Sequence, residues 1–192
     1  MKLCRNCRKE FPQFNSLEVV CSVRCAMAYA TKHPDGVKRI ALKAKRLETR
    51  EVLERLKPLT RICADAQKDV NRYVRIRDFG KGCISCDTGA VEDAGHFYPI
   101  GSKYRVNRLR FDTRAIHGQC RQCNSFKGGG NVHGYRVGLA RRYGEEFLLE
   151  LDLLKRAADQ GELERLTKDE ARSIAAEHRK MTRELERGRA AA

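Results

Sequence analysis

Cys83-Ile-Ser-Cys86, Val91-Glu-Asp-Ala-Gly-His96 and Ala115-Ile-His-Gly-Gln-Cys-Arg-Gln-Cys-Asn-Ser-Phe-Lys127 are the runs on which the reading of this chain turns. Two Cys-x-x-Cys pairs, Cys83/Cys86 and Cys120/Cys123, are separated by 33 residues. Four thiolates in two knuckles make one closed, tetrahedral, structural zinc site. Such a site clamps the two ends of the intervening segment. Asp93, His96 and His117 lie within that segment, outside the thiolate set but held near it. Spare imidazoles and a carboxylate on a rigid scaffold are what metal-assisted hydrolysis needs.

Charge points to the partner. The chain has 192 residues and a net charge of +15. Lys and Arg number 19 against 9 Asp and Glu in residues 1–80, 11 against 4 in 81–144, and 10 against 12 thereafter. The basic part is the part with the cysteines, so a polyanion is expected there. Apolar residues make up 41% and aromatics 7%, with no Trp, which is thin for one large core. Small metal-stapled modules joined by helices are expected instead.

Eight of the nine cysteines fall in knuckle pairs, a metal pattern rather than a disulfide framework. Met1-Lys2-Leu3-Cys4 has no apolar leader, and no run reaches the length of a membrane span. The expectation is an intracellular, reducing location and no membrane partner. Cys63, the ninth cysteine, sits in a helical pattern and reads as a buried small apolar residue.

Residues 1–32 hold a second tetrad, Cys4, Cys7, Cys21 and Cys25, on a ribbon-like zinc module. Phe11, Phe14, Val19 and Val20 are expected to form its apolar face, with Ser22 as the N-cap of the following helix. His33-Pro34-Asp35-Gly36 reads as a turn. A basic helical segment spans 37–79. Ile40, Ala44, Leu47, Leu53 and Leu56 form one stripe before Pro58 ends the first helix. Thr60 is a candidate cap for the second, with Ile62, Ala66, Val70, Tyr73 and Val74 inside and Arg72, Arg75 and Arg77 outside.

The central module spans 80–144. Glu92–Pro99 is expected to pair with residues near Val106–Phe111 around a turn at Gly101-Ser102. Lys103, Arg105, Arg108, Arg110 and Lys127 add positive charge to this module. Gly128-Gly129-Gly130 either approaches phosphate through backbone N–H groups or is a plain turn. His133–Tyr143 reads as a helix, with Arg136, Arg141 and Arg142 outside. His33, His133 and His178 read as surface residues. Residues 145–192 read as a helical hairpin, its second arm opened by a Thr167–Glu170 capping box, packing on the body or on a second copy.

These residues resemble a known group. Cys-x-x-Cys, Gly95-His96-Phe97, Ile116-His-Gly-Gln-Cys-Arg-Gln-Cys-Asn124 and a trailing Gly130-Asn131 resemble the HNH (ββα-metal) nuclease superfamily. With Asn71-Arg-Tyr-Val-Arg-Ile-Arg-Asp78, Leu109-Arg-Phe111 and Tyr135-Arg136, they resemble more closely the phage lambda NinG (Rap) recombination family. The likeness covers most of residues 60–144. The resulting fold class is α+β, small and zinc-stabilised. It comprises an amino-terminal zinc ribbon, basic helices, a central HNH-like ββα-metal module and a carboxyl-terminal helical hairpin.

The resemblance implies a structure-specific endonuclease that hydrolyses phosphodiesters in branched DNA such as Holliday junctions and D-loops. It also implies work in the cytoplasm of the bacterial host, as a homodimer, alongside phage or host recombination proteins. His96 matches the general base. Asp93, His117 and Asn124 are candidate ligands for catalytic Mg²⁺ or Mn²⁺ beside the two structural zinc ions. The sequence departs from the superfamily at Gly95, where Asp is usual, and at Ala115, where the middle Asn is expected. The alternative reading is a zinc-stabilised mediator that binds branched DNA without cutting it.

Overall fold

Cysteine knuckles and amphipathic helices set the layout of the protein. The structure, a computed structural model, describes residues 1–98, 107–126 and 130–190, without the side chain of Val37. Pro99, Gly101, Ser102, Lys103, Arg105, Val106, Lys127, Gly128 and Gly129, all given roles above, lie outside the described residues. The chain divides into two units, Met1–Lys57 and Pro58–Ala192. Of the basic segment 37–79, the first helix therefore belongs to one unit and the second to the other.

In the first unit, β1 (Lys2–Leu3) pairs antiparallel with β2 (Glu10–Phe11). Helix α1 (Val23–Lys32) starts at Ser22, whose hydroxyl accepts the Cys25 N–H at 3.3 Å, as the sequence suggested. Helix α2 (Pro34–Leu56) begins directly after His33, so Pro34-Asp35-Gly36 is not a turn. Proline fits the first helical position because its missing N–H would have no partner there. Phe11 is buried, but Phe14 is 87% exposed and takes no part in the apolar face. Leu47, Leu53 and Leu56 on α2 also remain open to solvent.

The second unit is layered. Helix α3 (Leu59–Arg77) buries Ile62, Ala66, Val70 and Val74 at the expected spacing, and Cys63 with them. Its N-cap is Pro58 without a side-chain bond, so Thr60 does not cap it. Strand β3 (Asp93–His96) pairs antiparallel with β4 (Ile116–Gln119), from Asp93 opposite Gln119 to His96 opposite Ile116. The expected partner near 106–111 is instead a 3₁₀ turn, Arg108–Phe111, capped by Asn107, whose side chain accepts the Leu109 N–H at 2.8 Å. Leu109 and Phe111 are buried by that turn. Short helix α4 (Arg121–Asn124) follows, then α5 (Val132–Tyr143), α6 (Glu145–Asp159) and α7 (Lys168–Ala190).

One face of the hairpin, Ala94 and Ile116, joins α3 and α7 in a core with Phe111, Leu166, Ala171 and Ala175. A second core joins Ala115 and Ile84 to Tyr135 and Leu139 of α5 and Leu148 and Leu151 of α6. Each fully buried Leu, Ile or Val contributes about 1.5–3 kcal/mol. Helices α6 and α7 do not form the expected hairpin: α6 packs on α5, and α7 packs on α3. The last pair runs in the same direction, Asp69 meeting Arg179 at 2.5 Å and the Ile76 carbonyl accepting from Arg189 at 2.6 Å. Thr167 and Glu170 form the capping box, with Thr167 N–H to Glu170 Oε2 at 2.8 Å and Glu170 N–H to Thr167 Oγ1 at 3.2 Å. His178 is not a surface residue. It is buried edge-on against Tyr73, donating from Nδ1 to the Ile174 carbonyl at 2.8 Å.

Asp78 joins α3 to the hairpin. Its carboxylate is 2% exposed and accepts Arg77 Nε at 2.8 Å and Nη2 at 2.6 Å, the Gly118 N–H at 2.8 Å and Lys81 Nζ at 3.2 Å. Burial alone would raise its pKa. The His117 ring 3.8 Å away, the bidentate Arg77 guanidinium and the Gly118 N–H together overcome that and hold it well below the usual carboxylate range. An isolated buried guanidinium is strongly unfavourable, so removing one partner costs far more than the pair contributes. Asp78→Ala should destabilise the protein by about 3–5 kcal/mol in urea denaturation, whereas an exposed control such as Asp169→Ala should change stability by less than about 0.5 kcal/mol.

Candidate active site and metal centres

Both cysteine tetrads assemble. In each, the four sulfurs lie within 4.8 Å of one another: Cys4, Cys7, Cys21 and Cys25 in one, Cys83, Cys86, Cys120 and Cys123 in the other. The Sγ separations are 3.5 Å for Cys7–Cys21, 3.7 Å for Cys21–Cys25 and 3.9 Å for Cys86–Cys120. Thiolates at about 2.3 Å from a tetrahedral zinc stand about 3.8 Å apart, so both sets fit the ion.

The acidities fit too. Cys4 is pushed down to about 6, burial being outweighed by the N–H groups of Cys7, Cys21 and Asn6, while Cys21 is pushed up to about 12, first by its contact with Cys7. In the second tetrad Cys86 falls to about 6, against burial, through the backbone at Gly89, and Cys123 rises to about 12 through burial and its sulfur neighbours. Four thiols this close cannot all ionise alone. A dication held by the four thiolates would supply the missing positive charge.

The second tetrad builds on the hairpin. Cys83 N–H donates to Gly89 O at 2.8 Å, and Cys120 caps α4 at the end of β4. Helix α5 closes over this knuckle at Gly138, where a Cβ would stand 1.7 Å from the Ile84 carbonyl. That close approach admits only glycine.

His96 is not a member of either tetrad. It lines a 310 Å³ cavity with Asn71 of α3, Gln119 of β4, and Asn124 and Asn131 flanking the α4–α5 connection. Its Nε2 stands 3.2 Å from Asn71 Oδ1 and 3.4 Å from Gln67 Nε2. Gln67 Nε2 also donates to Asn71 Oδ1 at 2.9 Å, and Gln67 Oε1 accepts from Arg110 Nε at 2.8 Å. Donation from Nε2–H to Asn71 leaves the lone pair on Nδ1. Burial, then the Arg110 charge, pushes the imidazole down to about 4, so it is neutral at pH 7. Asp93, three residues earlier on the same strand, does not line that cavity but accepts from Asn124 Nδ2, which belongs to a residue that does, at 3.3 Å.

His117 goes elsewhere. It pairs across from Gly95, is 3% exposed, and lies beside Tyr135 and Tyr143. Nε2–H donates to the Arg114 carbonyl at 2.9 Å, while Nδ1 faces Arg77 Nη2 at 3.2 Å and Tyr143 OH at 3.4 Å. Both ring nitrogens are engaged, so His117 cannot share an ion with Asp93 and Asn124. It positions Arg77 and Asp78.

The basic side chains sort similarly. Arg77 is spent on Asp78 and on the Thr113 and Ile116 carbonyls, at 3.0 and 2.8 Å, and does not ride outside. Arg72 pairs with Glu186, Arg108 with Glu170, Arg136 with Asp152, and Arg141 and Arg142 with Asp87. These pairs are largely exposed and individually weak, so a phosphate can compete for the cations.

Asp78 and Tyr135 were not among the sequence-derived site residues. Tyr135 OH lies 3.0 Å from the Gly95 carbonyl of β3 and 3.3 Å from that of Ala115, just before β4, and so braces the hairpin. A Cβ at Gly95 would stand 2.1 Å from Gln119 Oε1, so a side chain at 95 would require the buried Gln119 side chain to move.

Together these features define a small α+β protein with two cysteine tetrads that could hold zinc and a half-buried histidine at the end of a two-stranded sheet. The family profile described as Bacteriophage Lambda NinG protein matches residues 1–188, and the chain belongs to that family. Proteins named ninG from Escherichia phage 933W, Escherichia phage lambda and Salmonella phage P22 are 37%, 36% and 36% identical over 139 residues, 71% of this chain. The match spans 64%, 63% and 64% of those relatives. No solved structure matches. Among the described residues, no helix is long and apolar enough to cross a membrane.

Native mass spectrometry should find two zinc ions per chain. Cys123→Ser should lower this to one and lower the unfolding temperature, because ligand binding and folding are one free energy here. Masses lighter by eight hydrogens per chain, two for each of four disulfides, with no metal, would show disulfides instead.

Proposed function

We propose that this chain is a metal-dependent endonuclease for branched DNA, of HNH type, serving phage recombination. The observation that carries the reading is His96: an imidazole outside the thiolate set that lines a cavity, with Nε2 3.2 Å from Asn71 Oδ1 and, among the described residues, no hydrogen bond on Nδ1. A base needs a lone pair at working pH, and this ring keeps one far below neutrality. Nδ1 takes the proton of the attacking water.

Asp93 and Asn124 offer the hard oxygen donors that Mg²⁺ or Mn²⁺ prefers. Bound there, the ion would polarise the scissile phosphate and stabilise the leaving oxygen. Arg110, beside Gln67 and close enough to depress His96, supplies positive charge at the same place. A four-way junction needs two cuts, so two copies are expected to act together. Leu149 and Leu153, exposed one turn apart on α6, support that pairing.

The test is a synthetic four-way junction incubated with protein and Mg²⁺ or Mn²⁺. His96→Ala should lower cutting about 10²–10⁴-fold while junction binding persists. The wild-type rate should stay level from about pH 8 down to about pH 5 and fall by half near about 4, where His96 gains its proton. An ordinary imidazole would lose half near about 6.5. Binding without cutting in either ion would favour the non-cleaving mediator, the reading that Gly95 and Ala115 favour.

The same depressed pKa affects stability. Between about pH 6.5 and 4 the unfolded chain binds a proton that the folded His96 does not, so stability should fall on acidification across that window.

A further inference from the structure

We propose that the N-terminal unit carries its own groove for a single strand of DNA. A 420 Å³ cavity lies between the ribbon and α2 and is lined by five cations: Lys2, Arg5, Arg39, Lys43 and Arg46. No Asp or Glu lines it, and none of the five forms an ion pair among the described residues. The nearby carboxylate of Glu18 is turned to Phe14 N–H at 2.8 Å and Asn15 Nδ2 at 3.2 Å. This contrasts with the second unit, where most of the sequence-selected arginines already hold a carboxylate.

The arrangement suits one strand. Arg39, Lys43 and Arg46 follow each other at helical spacing along one side of α2, a row that can track successive phosphates. Apart from Ser16 and Gly36, the rest of the lining is apolar or aromatic: Leu17, Val19, Tyr29, Ile40 and Leu42. Charge along a backbone with an apolar and aromatic surface for bases is how proteins hold single strands. The volume is of small-ligand size, about 300–1,000 Å³. A base and its sugar fit there, whereas a double helix, its major groove alone about 12 Å wide, meets only the rim.

The first metal centre sets the groove's edge. Arg5 follows Cys4 directly, and its N–H donates to Val19 O at 2.9 Å across the knuckle. The groove is independent of the nuclease reading, since a protein that binds without cutting would use it equally.

The experiment uses the full chain, zinc-loaded, in buffer without Mg²⁺ or Mn²⁺, and a fluorescein-labelled oligothymidylate read by anisotropy. Arg39→Ala/Lys43→Ala/Arg46→Ala is compared with Lys38→Ala/Lys45→Ala/Arg50→Ala. The second variant loses the same charge from the same helix outside the groove. The groove variant should weaken single-strand binding about tenfold or more and lower the slope of log K against log salt by about 2. The control variant, and a duplex of equal length on either variant, should change by less than about threefold. Circular dichroism and zinc content verify that both variants fold. Equal losses in the two variants, an equal loss on duplex, or no loss in the groove variant would each overturn the proposal.

Discussion

The Asp78 carboxylate is the interaction on which the central unit depends. It gathers a bidentate guanidinium, a lysine and the N–H of Gly118 in the middle of β4, and it lies at the end of the helix that forms one wall of the cavity lined by His96. Through Arg77 it also reaches the carbonyls of Thr113 and Ile116. The register of α3 against the hairpin therefore follows from one buried charge. So does the place of Asn71, nearly two turns back along the same helix, against His96. The cysteine tetrad holds the other end of the strand pair, through Cys120 beyond Gln119.

Much of this was legible because the signals are local. Metal spacing in the cysteines, the Ser22 cap, the Thr167–Glu170 box and the apolar stripe of α3 each depend on residues a few positions apart. Strand pairing does not. Residues 108–111 have the apolar and basic alternation of a strand, but Asn107 caps them into a 3₁₀ turn, and β4, further on, takes the place beside β3. The histidines diverge for a similar reason. His96 and His117 look equivalent in sequence. Across the ladder His96 faces Ile116 and His117 faces Gly95, and alternation sends them to opposite faces.

The arginines were the least legible residues. A helical wheel places Arg77 outside with Arg72 and Arg75, but it does not show that a neighbouring carboxylate will be buried and will draw the guanidinium inward. The surroundings of Gly95 and Ala115 likewise emerge only in three dimensions. Gln119 occupies the space of a side chain at 95, and the Tyr135 hydroxyl braces the hairpin.

Helices α3 and α7 lie side by side with their directions matched, and the residues they bring together are 110 to 114 positions apart in the chain. Contacts so distant close large loops, which slows folding relative to a bundle of sequential helices. During synthesis the apolar stripe of α3 would leave the ribosome long before its cover and remain exposed in the meantime. The hairpin and the cysteine tetrad, complete by Cys123, can assemble earlier, giving the nascent chain a nucleus onto which the last helix later docks.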